Sequence, residues 1–425
     1  MLRLDKWLYP GIKIKRWVFL LLLSAIVLGV GISGILGGVF KNIRIEAFNI
    51  DHWFRKLQRL KFIDYFLLLI GILGVSLAVR RAYFSILTML MPNHEKDYIN
   101  LIYRKAKMKR GPKVVAIGGG TGMPNVLRGM KKYTYNITAV VTVADDGGSS
   151  GRLRKTHNVL PPGDIRNCLV ALSDEEALLG KLFKYRFDKD ASAELAGHNF
   201  GNIFITALAD VTGDFASAVK ESSKVLAING EVFPVSLDNL VLKAKLKDGR
   251  EISGQSLISQ GAGVVEELVL MPENITAYGP ALAAIKKADA IIYGPGSLYT
   301  SVIINLLVPG IKEAIKASKA YKVYVCNIMT QPGETTAYTV SDHVRALIKH
   351  AGPGIVDAVI ANNQLPKKAV LSQYEKKNSY PVQVDREEVL KLGVKLIEAK
   401  TFTEDDFIRH DPQIISKLIM KQMII

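Results

Sequence analysis

The sequence predicts an α/β protein, a parallel sheet with helices on both faces, preceded by a transmembrane helical hairpin. Three observations predict it. Short apolar runs without polar interruption recur from residue 113 onward, separated by amphipathic stretches. The leading runs empty into glycine-rich loops. Two long apolar stretches stand near the N-terminus. A strand that is apolar throughout, rather than alternating, is buried on both faces, as in parallel sheets covered by helices. The 425 residues suit roughly two to three domains, and a hydrophobic fraction of 49% excludes a disordered chain.

The first apolar stretch, Trp17 to Phe40, runs 24 residues without a charge, enough to cross a hydrocarbon core of about 30 Å. It exceeds the core of a signal peptide and carries no A-x-A-like site. The second, Phe62–Val79, has Asp64 near its start and is expected to span with Asp64 at headgroup level and Arg80–Arg81 as its stop. Five Lys/Arg precede the first span and nine lie between Arg80 and Lys113, against six in the connecting segment 41–61, which blurs the asymmetry; both ends are expected inside the cell. Segment 41–61 between the spans reads as an interfacial amphipathic helix. Residues 1–91 are thus a membrane hairpin, 92–112 a polar basic linker suited to an anionic leaflet, and 113–425 the body.

The formal charge of +17 is concentrated in this N-terminal quarter. Residues 1–113 hold 20 Lys/Arg against 6 Asp/Glu, and the body only 36 against 33. A nucleic-acid-binding body carries its basic stripe on the folded domain, so no nucleic-acid partner is expected. Two cysteines, Cys168 and Cys326, exclude a disulfide framework and a zinc ribbon; both read as buried thiols.

In the body, KVVAIGGG (113–120), ITAVVTV (137–143), DAIIYG (289–294), YKVYVCN (321–327) and VDAVIAN (356–362) read as buried strands. Ligands of such sheets bind beyond the carboxyl ends of the strands. The first loop there is Gly118–Gly122, whose small residues let backbone amides and a helix N-terminus approach a phosphate. It lacks the third glycine of a dinucleotide fingerprint, with Met123 in its place, and the lysine of a P-loop. The second, ADDGGSSGRLR (144–154), offers Asp145 and Asp146 as candidate ligands of a hydrated Mg2+, serines and backbone amides for a phosphate, and arginine as a clamp. Of its arginines, Arg152 is expected on the ligand and Arg154 on a surface acid. In LPPGDIRN (160–167), Asp164 is expected to cap a helix, with Arg166 near its positive start. In HNFGN (198–202), His198 is either an acid/base or a hydrogen-bonding anchor. GPGSLYTS (294–301) is a third glycine turn, and RHDP (409–412) precedes a final amphipathic helix.

Taken with NIMTQPGET (327–335), these strings resemble the YvcK-type family, the gluconeogenesis factors, related to CofD, the 2-phospho-lactate transferase. The resemblance covers about 112–425 and implies a CofD-like, Rossmann-related domain, often a homodimer, with residues 1–110 as an addition. It implies a UDP-sugar ligand (UDP-N-acetylglucosamine or UDP-glucose), a role in cell shape and the cell wall under gluconeogenic growth, and a regulator rather than an established enzyme. Carried over by motif, phosphate-binding positions are Gly119, Gly120, Thr121 and Gly122. The second loop supplies Asp145, Asp146, Ser149, Ser150 and Arg152, and the GHNxGN string Asn199 and Asn202. Tyr374 and Arg409 belong to the sugar-nucleotide pocket.

The leading expectation is therefore a UDP-sugar sensor tethered to the membrane, its main domain in the cytoplasm. The alternative is a CofD-like transferase using a nucleotide-diphosphate donor, with Asp145, Asp146 and His198 as candidate catalytic groups. NAD-dependent oxidoreduction rests on Gly118–Gly122 and Asp145 alone.

Overall fold

The computed structural model describes residues 15–39, 61–90, 98–174, 178–188, 194–260, 263–404 and 407–423. The amphipathic segment expected over 41–61 lies, but for its last residue, outside them, as do the flanking Arg3, Lys6 and Lys13. The chain divides into two compact units, Met1–Lys105 and Ala106–Ile425.

In the first unit, helices Lys15–Val39 and Lys61–Leu90 are both long and apolar enough to cross a membrane, the candidate spans being Lys15–Ile35 and Phe62–Ile86. Their close approaches pair Ser24 with Gly74, Leu28 with Gly71, Gly31 with Leu68 and Gly34 with Asp64. Partner numbers rise along one helix as they fall along the other, so the two run antiparallel. A Cβ on Gly71 would stand 2.7 Å from Leu28 Cα, and one on Gly31 2.7 Å from Leu68 N. Glycine here is what lets the backbones meet, since apolar attraction gives helices no preference for each other over lipid. The second helix continues past Arg80–Arg81 to Leu90, as an arginine is a good helix former and its charge ends a span, not a helix. Asp64 packs against Gly34 of the partner helix.

The second unit is built on a seven-stranded sheet. Its strands are β1 (Val114–Gly118), β2 (Ile137–Val141), β3 (Glu231–Pro234), β7 (Ala290–Tyr293), β8 (Tyr321–Val325), β9 (Ala358–Asn362) and β10 (Lys395–Ala399), in the order β10-β9-β8-β7-β1-β2-β3. Every pairing is parallel. Five strands are those the apolar runs predict. Sequence reading missed the two edges, and the reason is physical: an edge strand is half solvated, so β3 carries exposed Glu231 and ends in Pro234, while β10 is only partly buried. Between β3 and β7 the chain inserts a three-stranded antiparallel sheet, β4 (Val241–Leu246), β5 (Glu251–Ser253) and β6 (Val265–Met271), in the order β5-β4-β6. A hairpin of β11 (Phe402–Glu404) and β12 (Ile408–His410) follows β10. The expected terminal helix, Pro412–Met423, packs on the helix Met123–Met130 at Gly129, where a Cβ would strike Pro412 O and Ser416 Oγ. Both cysteines are free and buried.

The segment read as a polar linker is instead partly the helix Tyr98–Lys109. Its last turn belongs to the body: Met108 is 5% exposed and its carbonyl accepts from Tyr135 N at 3.0 Å. Asn136 Nδ2 donates to Lys109 O (2.9 Å) and Gly111 O (2.6 Å), and Thr134 Oγ1 to Pro112 O (2.9 Å). A chain beginning at Ala106 is therefore expected to be about 2–4 kcal/mol more stable than one beginning at Lys113. Urea unfolding of the two decides it; equal midpoints would show that 106–112 contributes nothing.

A candidate anion-binding cleft at the carboxyl edge of the sheet

β1 is the switch point of the sheet: β2 and β3 lie to one side, β7 to β10 to the other. The loops leaving β1 and β7 consequently diverge and leave a crevice. Gly120 turns with φ +66°, a left-handed conformation that side chains resist. A Cβ on Gly119 would stand 2.7 Å from Asp164 Oδ2 and 2.6 Å from Thr142 Cγ2, and one on Gly122 would strike the Pro295 carbonyl of the β7 loop. The helix Met123–Met130 that follows has Gly122 as N-cap and no side-chain cap. Pro124 carries no N–H and Asn125 N turns back to Gly122 O at 3.0 Å, so it is the helix dipole, rather than a row of free amides, that favours an anion here.

The third glycine turn does the opposite. The helical segment that follows it, Leu298–Ile303, has its first amides filled by the protein itself. Buried Glu334, from the NIMTQPGET string, accepts from Tyr299 N (3.0 Å), Thr300 N (3.2 Å), Thr300 Oγ1 (2.7 Å) and Ser259 Oγ (3.0 Å). Sequence reasoning missed this residue, although the string containing it was noticed.

The cleft between these loops has a volume of about 940 Å³. Gly120, Thr121 and Gly122 form one wall, and Tyr374 and Arg409 another. Tyr374 Oη accepts from Ile408 N at 3.1 Å and so holds the hairpin that presents Arg409. Arg128, Lys184, Lys377 and Arg409 line the cleft; Glu334, with its four donors, is the one acid of the lining among the described residues. His410 beside Arg409 is buried, which pushes its pKa down to about 4 and leaves it uncharged at neutral pH. The cleft is therefore electropositive, with an uncapped helix N-terminus in its wall.

The second loop builds a separate, contiguous cluster at the end of β2. Ser149 Oγ lies 3.1 Å from His198 Nδ1 and accepts from Asn199 N and Asn202 Nδ2, both at 3.2 Å. Ser150 Oγ lies 3.4 Å from the same Asn202 nitrogen. Asn199 caps the helix Phe200–Thr212 through Asn202 N. Arg166 joins cluster to cleft: it donates to Asn202 Oδ1 (3.0 Å) and to Asn167 Oδ1 (2.7 Å), and Asn167 lines the cleft. Burial first, then the neighbouring Arg186, brings the Arg166 pKa down to about 10. Arg186 was also missed; it donates to Gly197 O at 2.7 Å.

The two aspartates of this loop turn to different partners. Asp145 Oδ1 accepts from Gly147 N, whereas Asp146 Oδ1 accepts from both Ser256 N (2.8 Å) and Ser256 Oγ (2.6 Å). Among the described residues no group of three or more His, Cys, Asp and Glu is gathered as a metal-ligand set. Arg152 is exposed and donates to Ala196 O at 2.8 Å, outside the cleft lining. The surface role expected of Arg154 is corrected: half-buried, it donates to Leu240 O (2.6 Å) and Ala144 O (3.4 Å), tying the loop to the chain just before β4. With Asp146 it lines a smaller cavity of about 330 Å³. Arg154→Ala should accordingly cost about 1.5–3 kcal/mol of stability and Arg152→Ala less than about 1 kcal/mol. Thermal unfolding of both variants tests the reversal.

Asp164 is not a cap. The N-cap of the helix Gly163–Leu172 is Pro162, and Asp164 lies one residue inside it, 8% exposed, accepting from Gly120 N, with Oδ2 unpartnered. Burial raises its pKa to about 6, and Asp145 adds to the shift. Such a perturbed carboxyl under a glycine loop marks a functional site.

An all-parallel sheet with an electropositive cleft at its switch point defines a doubly wound α/β protein of the ligand-binding kind. Residues 114–402 match the family described as 2-phospho-L-lactate transferase CofD. The gluconeogenesis factor of Bacillus subtilis strain 168 is 46% identical over 314 residues, 74% of this chain and 98% of its own. A crystal structure of a Bacillus halodurans protein superposes with a TM-score of 0.71 at 46% identity, covering 73% of this chain and 99% of that one. A Nostoc sp. strain PCC 7120 relative named for the same factor is 46% identical over 98% of this chain and 92% of its own. The chain belongs to the CofD family, among the members named gluconeogenesis factor. Residues 1–110 are shared with the Nostoc relative, which aligns along nearly the whole chain, whereas the Bacillus subtilis relative matches 74% of it over 98% of its own length.

Proposed function

We propose that this protein is a regulator held in the membrane by its N-terminal hairpin, with a cytoplasmic body that binds a UDP-sugar and serves cell shape and the cell wall during gluconeogenic growth. The observation that carries the ligand class is the cleft. Four cationic side chains and an uncapped helix N-terminus surround a space whose one acid is already saturated, among the described residues. A diphosphate suits the Gly120–Gly122 wall, and Tyr374 and Arg409 on the other wall suit a base or sugar. The names of the relatives supply the gluconeogenic context. Membrane attachment is supported by the two long apolar helices, and the charge count favours both ends inside the cell.

Thermal-shift measurement on the chain from Ala106 with UDP-N-acetylglucosamine, UDP-glucose, GDP and NAD, with and without Mg2+, tests the reading. A ligand at about 100 times its Kd adds about 2.7 kcal/mol of stability. Stabilisation by a UDP-sugar is expected. Stabilisation by GDP alone favours a phospho-group transferase, the activity in the family's description, and overturns the sensor reading; stabilisation by NAD alone also does.

A further inference from the structure

The hydroxyl of Ser149 has three polar neighbours, and counting their hydrogens assigns its proton. Asn199 N–H and Asn202 Nδ2–H both donate to Oγ. The orientation of the Asn202 amide is set independently, because its Oδ1 accepts from Arg166. Two donated hydrogens fill the two lone pairs of a hydroxyl oxygen. The Ser149 O–H therefore donates to the third neighbour, His198 Nδ1 at 3.1 Å, which must present a lone pair. Ser149 is 4% exposed; its O–H···Nδ1 contact is that of a nucleophile and its base, and one of the two N–H donors must release its lone pair to phosphorus while the other stabilises the alkoxide as it forms. Ser149 is also the second residue of the helix Gly148–His157, whose N-cap Gly147 supplies no side-chain cap, so the helix dipole favours negative charge on it.

The surroundings select the electrophile. Arg152 and Arg186 donate to the carbonyls of Ala196 and Gly197, the two residues before His198, and Arg166 holds Asn202. These acceptors are neutral carbonyl and amide oxygens, so the positive charge is available to an anion. Burial first, then Arg152 and Arg186, holds His198 below its ordinary pKa, which keeps it in the unprotonated form that a base requires.

We propose that Ser149 is a nucleophile, with His198 as its general base, directed at a phosphate anhydride. Oγ attacks phosphorus as its proton passes to His198 Nδ1. The Oγ–P bond forms, the anhydride P–O bond breaks, and the leaving phosphate takes the electron pair and then the proton from the imidazolium. This goes beyond ligand binding and is independent of which nucleotide sugar fills the cleft.

The test treats the full chain in detergent, without nucleotide, with a small fluorophosphonate, in which a P–F bond takes the place of the anhydride bond. Mass spectrometry of the digest is expected to find the phosphonyl group on Ser149. His198→Gln should slow labelling on the order of a hundredfold, the scale of general-base catalysis. No label on wild-type Ser149, in a tube where a serine hydrolase labels fully, overturns the proposal. So does labelling of His198→Gln at the wild-type rate. Neither outcome depends on UDP-sugar binding, so failure here leaves the ligand reading standing.

Discussion

Glu334→Ala is expected to lower the stability of the body by about 3–5 kcal/mol, the largest effect of any single change considered. Truncation removes the acceptor of four hydrogen bonds at once and leaves two backbone amides and two hydroxyls without their partner. Hydrogen bonds to a charged group contribute about 1.5–3 kcal/mol each, and the loss is less than their sum because water from the cleft replaces some. Glu334→Gln should recover part of the loss, since one oxygen still accepts while the negative charge at the helix start is gone. Denaturant unfolding of both variants checks the order. A Glu334→Ala protein as stable as wild type would mean that the carboxylate does not hold the β7 loop.

Asp164→Asn should do the reverse at neutral pH and stabilise the protein. A buried carboxyl with a pKa near 6 binds its proton more tightly in the folded than in the unfolded chain, where the pKa is about 3.9. Stability then falls as pH rises from about 4 to about 6, and the full penalty applies above that window. At about 1.4 kcal/mol per pKa unit the penalty is on the order of 3 kcal/mol. Asparagine keeps an acceptor for Gly120 N and carries no charge. The variant should gain about 2–3 kcal/mol over wild type at pH 7.5 and almost nothing at pH 4. Thermal melts across that range decide it, and a gain independent of pH would remove the titration argument. Asp164 lies directly beneath the loop that lines the cleft.

Much of this molecule was legible in its sequence. Five of the seven sheet strands are runs buried on both faces, and apart from Thr138, Lys322 and the terminal Asn362 they carry no polar side chain to disguise them. The hairpin is legible for the same reason, because lipid and core both exclude charge over a stretch of known length. The glycine loops are legible because a strand that turns at once into a helix needs residues such as Gly120 with φ of +66°. The edge strands β3 and β10 were not, since half-solvated backbone tolerates mixed side chains.

What the sequence by itself determined is therefore the fold class, the membrane-length helices and the loops that border the site. Which side chain of a loop is buried was decided by tertiary structure alone. Arg152 and Arg154 lie two residues apart on one helix, about 200° around its axis, so neighbours in sequence point to opposite sides. Which side is buried depends on Leu240, 86 residues further on, whose carbonyl Arg154 holds. Asp145 and Asp146 are adjacent, yet one closes its own turn and the other reaches Ser256. Glu334 fills a helix start that the glycine pattern alone would have left open to an anion. For Arg154, Asp146 and the start of the Leu298 helix, the deciding partner is brought in by the packing of a distant element. Local composition sets a residue's chemistry; the direction in which it acts comes from whatever the completed fold places beside it.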